Sequence, residues 1–271
     1  MTGKPTTPNA RVGIIVPAYN YGHYLDECLG SLAAQTLGDF TALVIDNASS
    51  DNTEAVARAW VARDARFHYV RNETNLGLTR SMLKAYALLN NEFMMLLSAD
   101  DLLAPGYLAA TVGALDAHPE CPMAYTGWET LLDNPDDPAH GQRGLAFVPH
   151  QRSGVYDDSA VLLSHNWITI SIGIWRRQSC EVVGGFDPQG LRHLGDWFLW
   201  MRLLSEGPAY YIHEPLGAYR IHSAAESRRL ISSNQSGDDH VRFYDLIFGN
   251  ERWPMTIRCL AKAHQMRWLT G

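Results

Sequence analysis

Cysteine is scarce in this 271-residue chain, and the four present, Cys28, Cys121, Cys180 and Cys259, are widely spaced. No Cys-x-x-Cys pair occurs, so neither a zinc site of that kind nor a disulfide framework is indicated. Long apolar runs are missing too. No stretch approaches the ~20 residues of a membrane span, and none behind Met1 has the make-up of a secretion signal. Positive charge is in deficit, with 22 Lys and Arg against 29 Asp and Glu, a formal −7 that argues against a general nucleic-acid surface. There is no internal repeat, and no Gly-x-Gly-x-x-Gly follows the first apolar run, which disfavours a dinucleotide-dependent oxidoreductase. Reduced, cytoplasmic residence is the expectation these absences leave. The apolar fraction of 46% is ample for a core, and the length suits one large domain or two fused small ones.

What the chain does have is a set of apolar runs that end in polar residues. Residues 93–101 read Phe-Met-Met-Leu-Leu-Ser-Ala-Asp-Asp. Such a run suits a strand buried on both faces, and open α/β sheets bind ligands at the carboxyl ends of their strands. Two adjacent carboxylates repel, so they need solvent or a counter-charge, and at a strand end that is often a divalent cation held by oxygen ligands. On this stretch alone an acidic turn reads equally well, since Asp101, Pro105 and Gly106 all suit a loop.

Other runs repeat the pattern. Residues 11–20 are an apolar strand stopped by Pro17, and residues 41–46 are a second that ends in Asp46. Between them, Leu25, Cys28, Leu29 and Leu32 have helical spacing within Tyr24 to Gln35. Ser50 or Asp51 is placed to cap a helix from Glu54 to Ala62. A strand over Phe67–Val70, the Asn72–Gly77 loop and a helix over Leu78–Leu89 follow. Strands alternating with helices predict a parallel, doubly wound sheet. Four strand ends then meet at one edge, forming a nucleotide-sized crevice.

Taken together, Val16-Pro17-Ala18-Tyr19-Asn20, the run from Asp46 to Thr53, Asn75-Leu76-Gly77 and Ser98-Ala99-Asp100-Asp101 resemble the family 2 glycosyltransferases of GT-A fold. Downstream, Gly184-Gly185-Phe186-Asp187, the stretch from Gly195 to Leu203, and Tyr219-Arg220-Ile221-His222 are similar to that family's acceptor-side motifs. The resemblance covers residues 11–227, most of the chain. It implies an α/β fold with a Rossmann-like nucleotide half (11–103), a smaller acceptor-binding half (104–227), a loose tail before them (1–10) and a helical extension after them (228–271).

The resemblance also implies roles. Pro17, Ala18, Tyr19 and Asn20 would form a platform for the nucleobase, and Asp46 and Asn47 would meet the base itself, Asp46 by accepting an N–H. Ser98, Ala99 and Asp100 would line the ribose, while Asp101 and His222 would hold Mg²⁺ or Mn²⁺. Asp196 would be the general base, deprotonating the acceptor hydroxyl in an in-line displacement with inversion. As a carboxylate opening a helix it is expected to have its pKa lowered by the helix dipole, although a simple helix cap explains an acid there too. Arg202, on the same helix, is expected to pair with an acid. The chain departs from the family at three places: Ser98 replaces an acid, Gly195 replaces a glutamate, and Met82-Leu83 replaces an Arg-Asn pair. Donor or phosphate contacts then pass to Arg80, Lys84 or Arg220.

The expectation is therefore a metal-dependent glycosyltransferase using a UDP- or dTDP-sugar, with a glycan, lipid-linked or small-molecule acceptor, in bacterial surface polysaccharide or natural-product glycoside synthesis. Transfer to a polyprenyl phosphate and a non-catalytic nucleotide-sugar-binding scaffold stay open as alternatives. Residues 131–155 read as an irregular excursion, either a mobile loop over the site or a surface hairpin. The helical tail mixes Arg252, Arg258, Lys262, His264 and Arg267 with Trp253, Met255, Ile257, Leu260, Met266 and Trp268. Peripheral contact with the inner face of a membrane, packing on the sheet and a homodimer contact all suit that composition.

Overall fold

Strand β1 (Val12–Ala18) lies between β2 (Phe40–Asp46) and β4 (Phe93–Leu96), parallel to both, and β3 (Phe67–Arg71) is parallel on the outer side of β2. These details come from a computed structural model that describes residues 10–133, 137, 139–192, 194–222 and 236–270. Strands β2 and β4 are buried along their whole length, as their unbroken apolar runs require. Helices α1 (Gly22–Ala33), α2 (Thr53–Arg63) and α3 (Leu78–Leu88) make the crossovers. The chain moves outward from β1 to β2 and β3, then returns to place β4 on the other side of β1. That reversal is where open α/β sheets bind ligands.

Beyond β4 the sheet turns mixed. Strand β9 (Gly173–Arg176) is antiparallel to β4 and to β6 (Met123–Leu132), and β10 (Ala209–Ile221) runs parallel to β6. The short β5 (Leu102–Leu103), which directly follows Asp100-Asp101, pairs with β10. Residues 131–155 contain β7 (Arg143–Leu145) and lead into β8 (Gly154–Tyr156), which pair with β6 and β10. The excursion is thus in part a hairpin on the sheet, with Leu145 78% and Phe147 71% exposed. Helices α4 (Tyr107–Ala117), α5 (Ser159–Leu162), α6 (Arg177–Val182) and α7 (Gly195–Leu204) complete this side.

Three local expectations change. Pro17 does not stop β1, which runs on to Ala18. Ile15 accepts from Leu97 on the β4 side, so Pro17, two residues later, faces that same side after the β4 ladder has ended at Leu96. The missing N–H therefore leaves no gap in a ladder. Neither Ser50 nor Asp51 is the residue preceding α2; that place is Asn52, without a side-chain cap. Asp51 instead accepts from the Thr53 backbone and hydroxyl and, at 2.9 Å, from the Gly22 backbone, tying the start of α1 to the start of α2. Arg202 finds no carboxylate within hydrogen-bonding reach among the described residues. It is 3% exposed, lies over the Phe198 ring and donates to the Val183 carbonyl at 3.3 Å. Burial lowers its pKa.

The tail forms α8 (Ser236–Phe248) and α9 (Met255–Thr270), and the rest of the expected extension, 228–235, lies outside the described residues. Phe243, Tyr244, Ile247, Trp253, Ile257 and Ala261 are buried, with Phe243 4.6 Å from the Trp197 ring of α7. Met255, Met266, Trp268 and Leu269 are left exposed. No helix among the described residues is long and apolar enough to cross a membrane.

Candidate active site

The strand ends hold a dense polar network. Asp46 closes β2 fully buried: its Oδ1 accepts from the Ser49 backbone at 2.8 Å, and its Oδ2 accepts from the Tyr69 hydroxyl at 2.6 Å and from Arg71 at 2.8 Å. Asn47 is a second hub. Its Oδ1 accepts from Leu76, Asn72 and Ser81, and its Nδ2 donates to Asn75 at 2.7 Å. This wires the Asn75-Leu76-Gly77 loop and the start of α3 to the end of β2. Asn20 and Ala48 adopt φ of 58° and 65° on the rim, a region that non-glycine residues seldom visit. Asn20 is held there by Ser49 and Ser50. Tyr19, 46% exposed, stands beside them, next to the half-buried Pro17 and the buried Ala18. Lys84 donates to Asn72 at 2.8 Å and so belongs to this network, whereas Arg80 is exposed on the first turn of α3.

Beyond β4, Ser98 starts a tight turn. Its carbonyl accepts from the Asp101 backbone, while Ala99 is buried inside the turn. The two acids then part. Asp101 is 1% exposed and both its oxygens are engaged: the Ser171 hydroxyl donates to Oδ2 at 2.6 Å, and the Arg220 backbone donates to Oδ1 at 2.9 Å. Burial, with Asp100 beside it, pushes its pKa well above the usual carboxylate range. Asp100 keeps 14% of its side chain open and lies 2.9 Å from Nε2 of His222. The rings of Tyr24 and Tyr21 flank that imidazole at 5.0 and 6.0 Å. Asp101, expected as a ligand, here anchors the turn, and Asp100 is the acid paired with His222.

Arg220 is engaged on the same turn. Its Nε donates to the Asp100 carbonyl, Nη1 to Asp133 and Nη2 to Glu27, with the guanidinium over the Tyr24 ring. Three of its five N–H groups are thus used within the protein, where it braces the acidic turn.

Asp196 occupies the second position of α7 and is not its cap, a place taken by Leu194 without a side-chain bond. The helix is held by two indoles, Trp197 donating to the Leu162 carbonyl and Trp200 to that of Ile168. Trp200 also lies so close to β9 that a Cβ on Gly173 would fall 2.4 Å from it, which only glycine avoids. The half-buried Asp196 accepts from the Trp197 backbone and, at 3.4 Å, from Asn166. Neither Lys nor Arg pairs with it among the described residues. Burial pushes its pKa up to about 6, the reverse of the lowering expected from the helix dipole. Desolvation outweighs the helix end here.

A strap joins the two acidic centres. Asn166 touches Asp196, and Ser171, in the 3₁₀ turn Ile170–Ile172, touches Asp101 while accepting from the Ser98 backbone. Five residues of chain span at most about 17 Å. Neither Asn166 nor Ser171 was foreseen, and Tyr69, Arg71 and Asp133 were also missed; none stands in a recognisable motif.

A divalent cation can be tested against these donors. Cis ligands at about 2.1 Å from a metal lie about 3 Å apart, which the Asp100–His222 spacing of 2.9 Å matches. The pair of a hard carboxylate oxygen and an imidazole nitrogen fits the ion. No group of three or more His, Cys, Asp or Glu among the described residues converges as a metal cage, so further ligands must come from phosphate or water.

Residues 13–153 match the family described as Glycosyl transferase family 2. An uncharacterized glycosyltransferase of Rickettsia typhi is 28% identical over 225 residues, covering 82% of this chain and 67% of its own. The putative teichuronic acid biosynthesis glycosyltransferase TuaG of Bacillus subtilis is 24% identical over 211 residues, 78% of this chain and 79% of its own. Among solved structures, S. aureus TarS 1–349 superposes with a TM-score of 0.72 at 16% identity, over 95% of this chain and 71% of that one. Mannosyltransferase PcManGT of Pyrobaculum calidifontis, in complex with GDP-Man and Mn²⁺, gives 0.65 at 19% identity, over 97% and 71%. At these identities the superpositions speak for the fold alone. With its motifs gathered at one sheet edge and more than half its length matched, the chain belongs to glycosyl transferase family 2 and is an enzyme of that family with a GT-A fold.

Proposed function

We propose that this enzyme is a metal-dependent, inverting glycosyltransferase that moves a sugar from a UDP- or dTDP-sugar to an acceptor hydroxyl during assembly of a surface polysaccharide. One observation carries the reading: Asp196 is a carboxylate without a cation partner among the described residues, with a pKa near 6, one strap away from an acidic turn at the switch point of the sheet. A general base is most effective with a pKa near the working pH. The neighbours add support, since TarS has been crystallised with UDP and UDP-GlcNAc and PcManGT with GDP-Man and Mn²⁺. TuaG's name places it in teichuronic acid synthesis.

In this reading the nucleobase rests on Tyr19 and the Pro17–Ala18 backbone, with Asp46 holding Arg71 at the base pocket. Asp100 and His222 would hold Mg²⁺ or Mn²⁺, which when bound would offset charge on the departing diphosphate. Asp196 takes the proton of the acceptor hydroxyl. The oxygen's electron pair forms the new bond to the anomeric carbon from the face opposite the nucleotide. The bond from that carbon to the phosphate oxygen breaks, and its pair leaves on the nucleoside diphosphate. Asn166 orients the base, while Ser171 and the Arg220 backbone hold Asp101 and with it the turn that presents Asp100.

The test is calorimetric titration with UDP, dTDP, GDP and CDP, each with Mn²⁺ and then with excess chelator. Metal-dependent binding of UDP or dTDP is expected and names the donor class. Absence of binding to all four would overturn the reading.

A further inference from the structure

A cleft of about 420 Å³ opens between the start of α3 and the turn that leads into α7. Leu76, Leu78 and Arg80 form one wall, and Gly190 and Arg192 form the other. Leu76 and Leu78 are 38% and 45% exposed, an apolar floor with two guanidinium groups at its rim. Arg176, Arg202, Arg242 and Arg258 each donate to a backbone carbonyl, and Arg11, Arg58, Arg63, Arg66 and Arg71 each pair with an Asp or Glu. Neither Arg80 nor Arg192 pairs with one among the described residues, and both are exposed.

Both walls are fixed. Leu76 is bonded through its backbone to Asn47 at 2.9 Å, which joins this wall to the end of β2. On the other side the Arg192 backbone donates to Asp239 at 2.8 Å, and Arg242 donates to the Gln189 carbonyl at 2.9 Å. Asp239 is thus engaged at the main chain of Arg192. The walls belong to the two halves whose substrates must meet, the loop wired to the strand ends and the chain entering the base-bearing helix. Arg192 precedes Asp196 by four residues, at most about 14 Å of extended chain. A volume in this range accepts a sugar-sized group, and two guanidinium groups favour planar, charged oxygens.

We propose that this cleft is a subsite for an anionic group, a carboxylate or a phosphate, borne by the sugar or the acceptor that reaches Asp196. The inference rests on the glycosyltransferase reading above and narrows its substrate class to an acidic one. The two sources separate experimentally. In the presence of Mn²⁺, UDP-glucuronic acid is compared with UDP-glucose for a donor-borne charge. Methyl glucuronide is compared with methyl glucoside, and glycerol 3-phosphate with glycerol, for an acceptor-borne charge, each with and without UDP. All are titrated into the wild type, Arg80→Ala, Arg192→Ala and the double variant.

One acidic probe is expected to bind at least tenfold more tightly than its neutral partner. That preference should fall to parity in the double variant and weaken in Arg192→Ala, whose UDP affinity stays unchanged within twofold. Parity in every pair for the wild type, or a preference that survives the double substitution, overturns the subsite. Failure of UDP to bind while acid discrimination persists would instead remove the UDP reading and leave the subsite standing. The melting temperatures of the variants, both at exposed positions, report whether a lost preference is merely lost folding.

Discussion

Two acids, each at the end of an element and each buried to some degree, have opposite surroundings. Asp46 closes β2 with a tyrosine hydroxyl, an arginine and a backbone N–H on its oxygens. Asp196 opens α7 with one backbone N–H, a long bond from Asn166 and no Lys or Arg among the described residues. A saturated carboxylate organises what surrounds it, because moving its charge would leave several groups unpaired at once. A carboxylate that has lost water without gaining partners holds a raised pKa and is ready to take a proton. The end of β2 carries an acid of the first kind and the start of α7 one of the second.

The widest separation of the two kinds comes from Asp196→Asn. Turnover should fall by about 10²–10⁴-fold, the usual contribution of a positioned base, with nucleotide affinity unchanged. The variant should also be more stable at pH 8. A carboxyl whose folded pKa lies above its unfolded value is penalised when ionised, so the penalty is present above about pH 6 and vanishes as pH falls toward 4. Its full size would be about 3 kcal/mol; partial exposure of Asp196 reduces the expected gain to about 1–2 kcal/mol. Thermal melts at pH 8 and pH 4 check the sign. Wild-type turnover would remove Asp196 from the base role.

Asp46→Ala should act in the opposite way. It strands Arg71 and Tyr69 beside a buried gap, at about 3–5 kcal/mol, and melting should drop on the order of 10 °C. A drop within 2 °C would mean that the partners re-pair with water and that Asp46 is no anchor. The acidic turn gives a smaller contrast. Asp100→Ala should weaken Mn²⁺-dependent nucleotide binding by about 10²-fold with little change in melting. Asp101→Ala should lower melting through the lost Ser171 and Arg220 bonds, by about 2 kcal/mol. Equal loss of metal dependence with no change in melting for Asp101→Ala would restore Asp101 as the ligand.

The parallel half of the fold was legible because each apolar run announces a buried strand and each run ends in residues suited to a ligand edge. Which of two adjacent acids faces the crevice was not. That depends on Ser171 and Arg220, which are 70 and 119 residues away from Asp101, and no local pattern specifies them. The pKa of Asp196 was misjudged for a related reason. A helix end can be read from nearby residues, whereas desolvation is contributed by whatever packs across. Arg202 was expected to meet an acid and instead turns to the Val183 carbonyl just past α6. The strap from Asn166 to Ser171 was invisible, since it has no regular periodicity and only two of its side chains do the linking.

Asn166 gives the smallest expected effect and the closest test of the contrast. It donates to the charged form of Asp196, so its removal takes away one of the few bonds favouring that form. At 3.4 Å the bond is long and its contribution modest. In Asn166→Ala the midpoint of the pH–rate profile should therefore move upward from about 6 by a few tenths of a unit, with turnover about twofold lower at pH 6 and unchanged at pH 8. Asn166→Asp should move it further in the same direction, because a second carboxylate opposes ionisation of the first. A uniform loss at every pH in both variants would show that Asn166 only shapes the strap. A midpoint that follows the charge placed at residue 166 would show that the reactivity of Asp196 is set by how few partners it has.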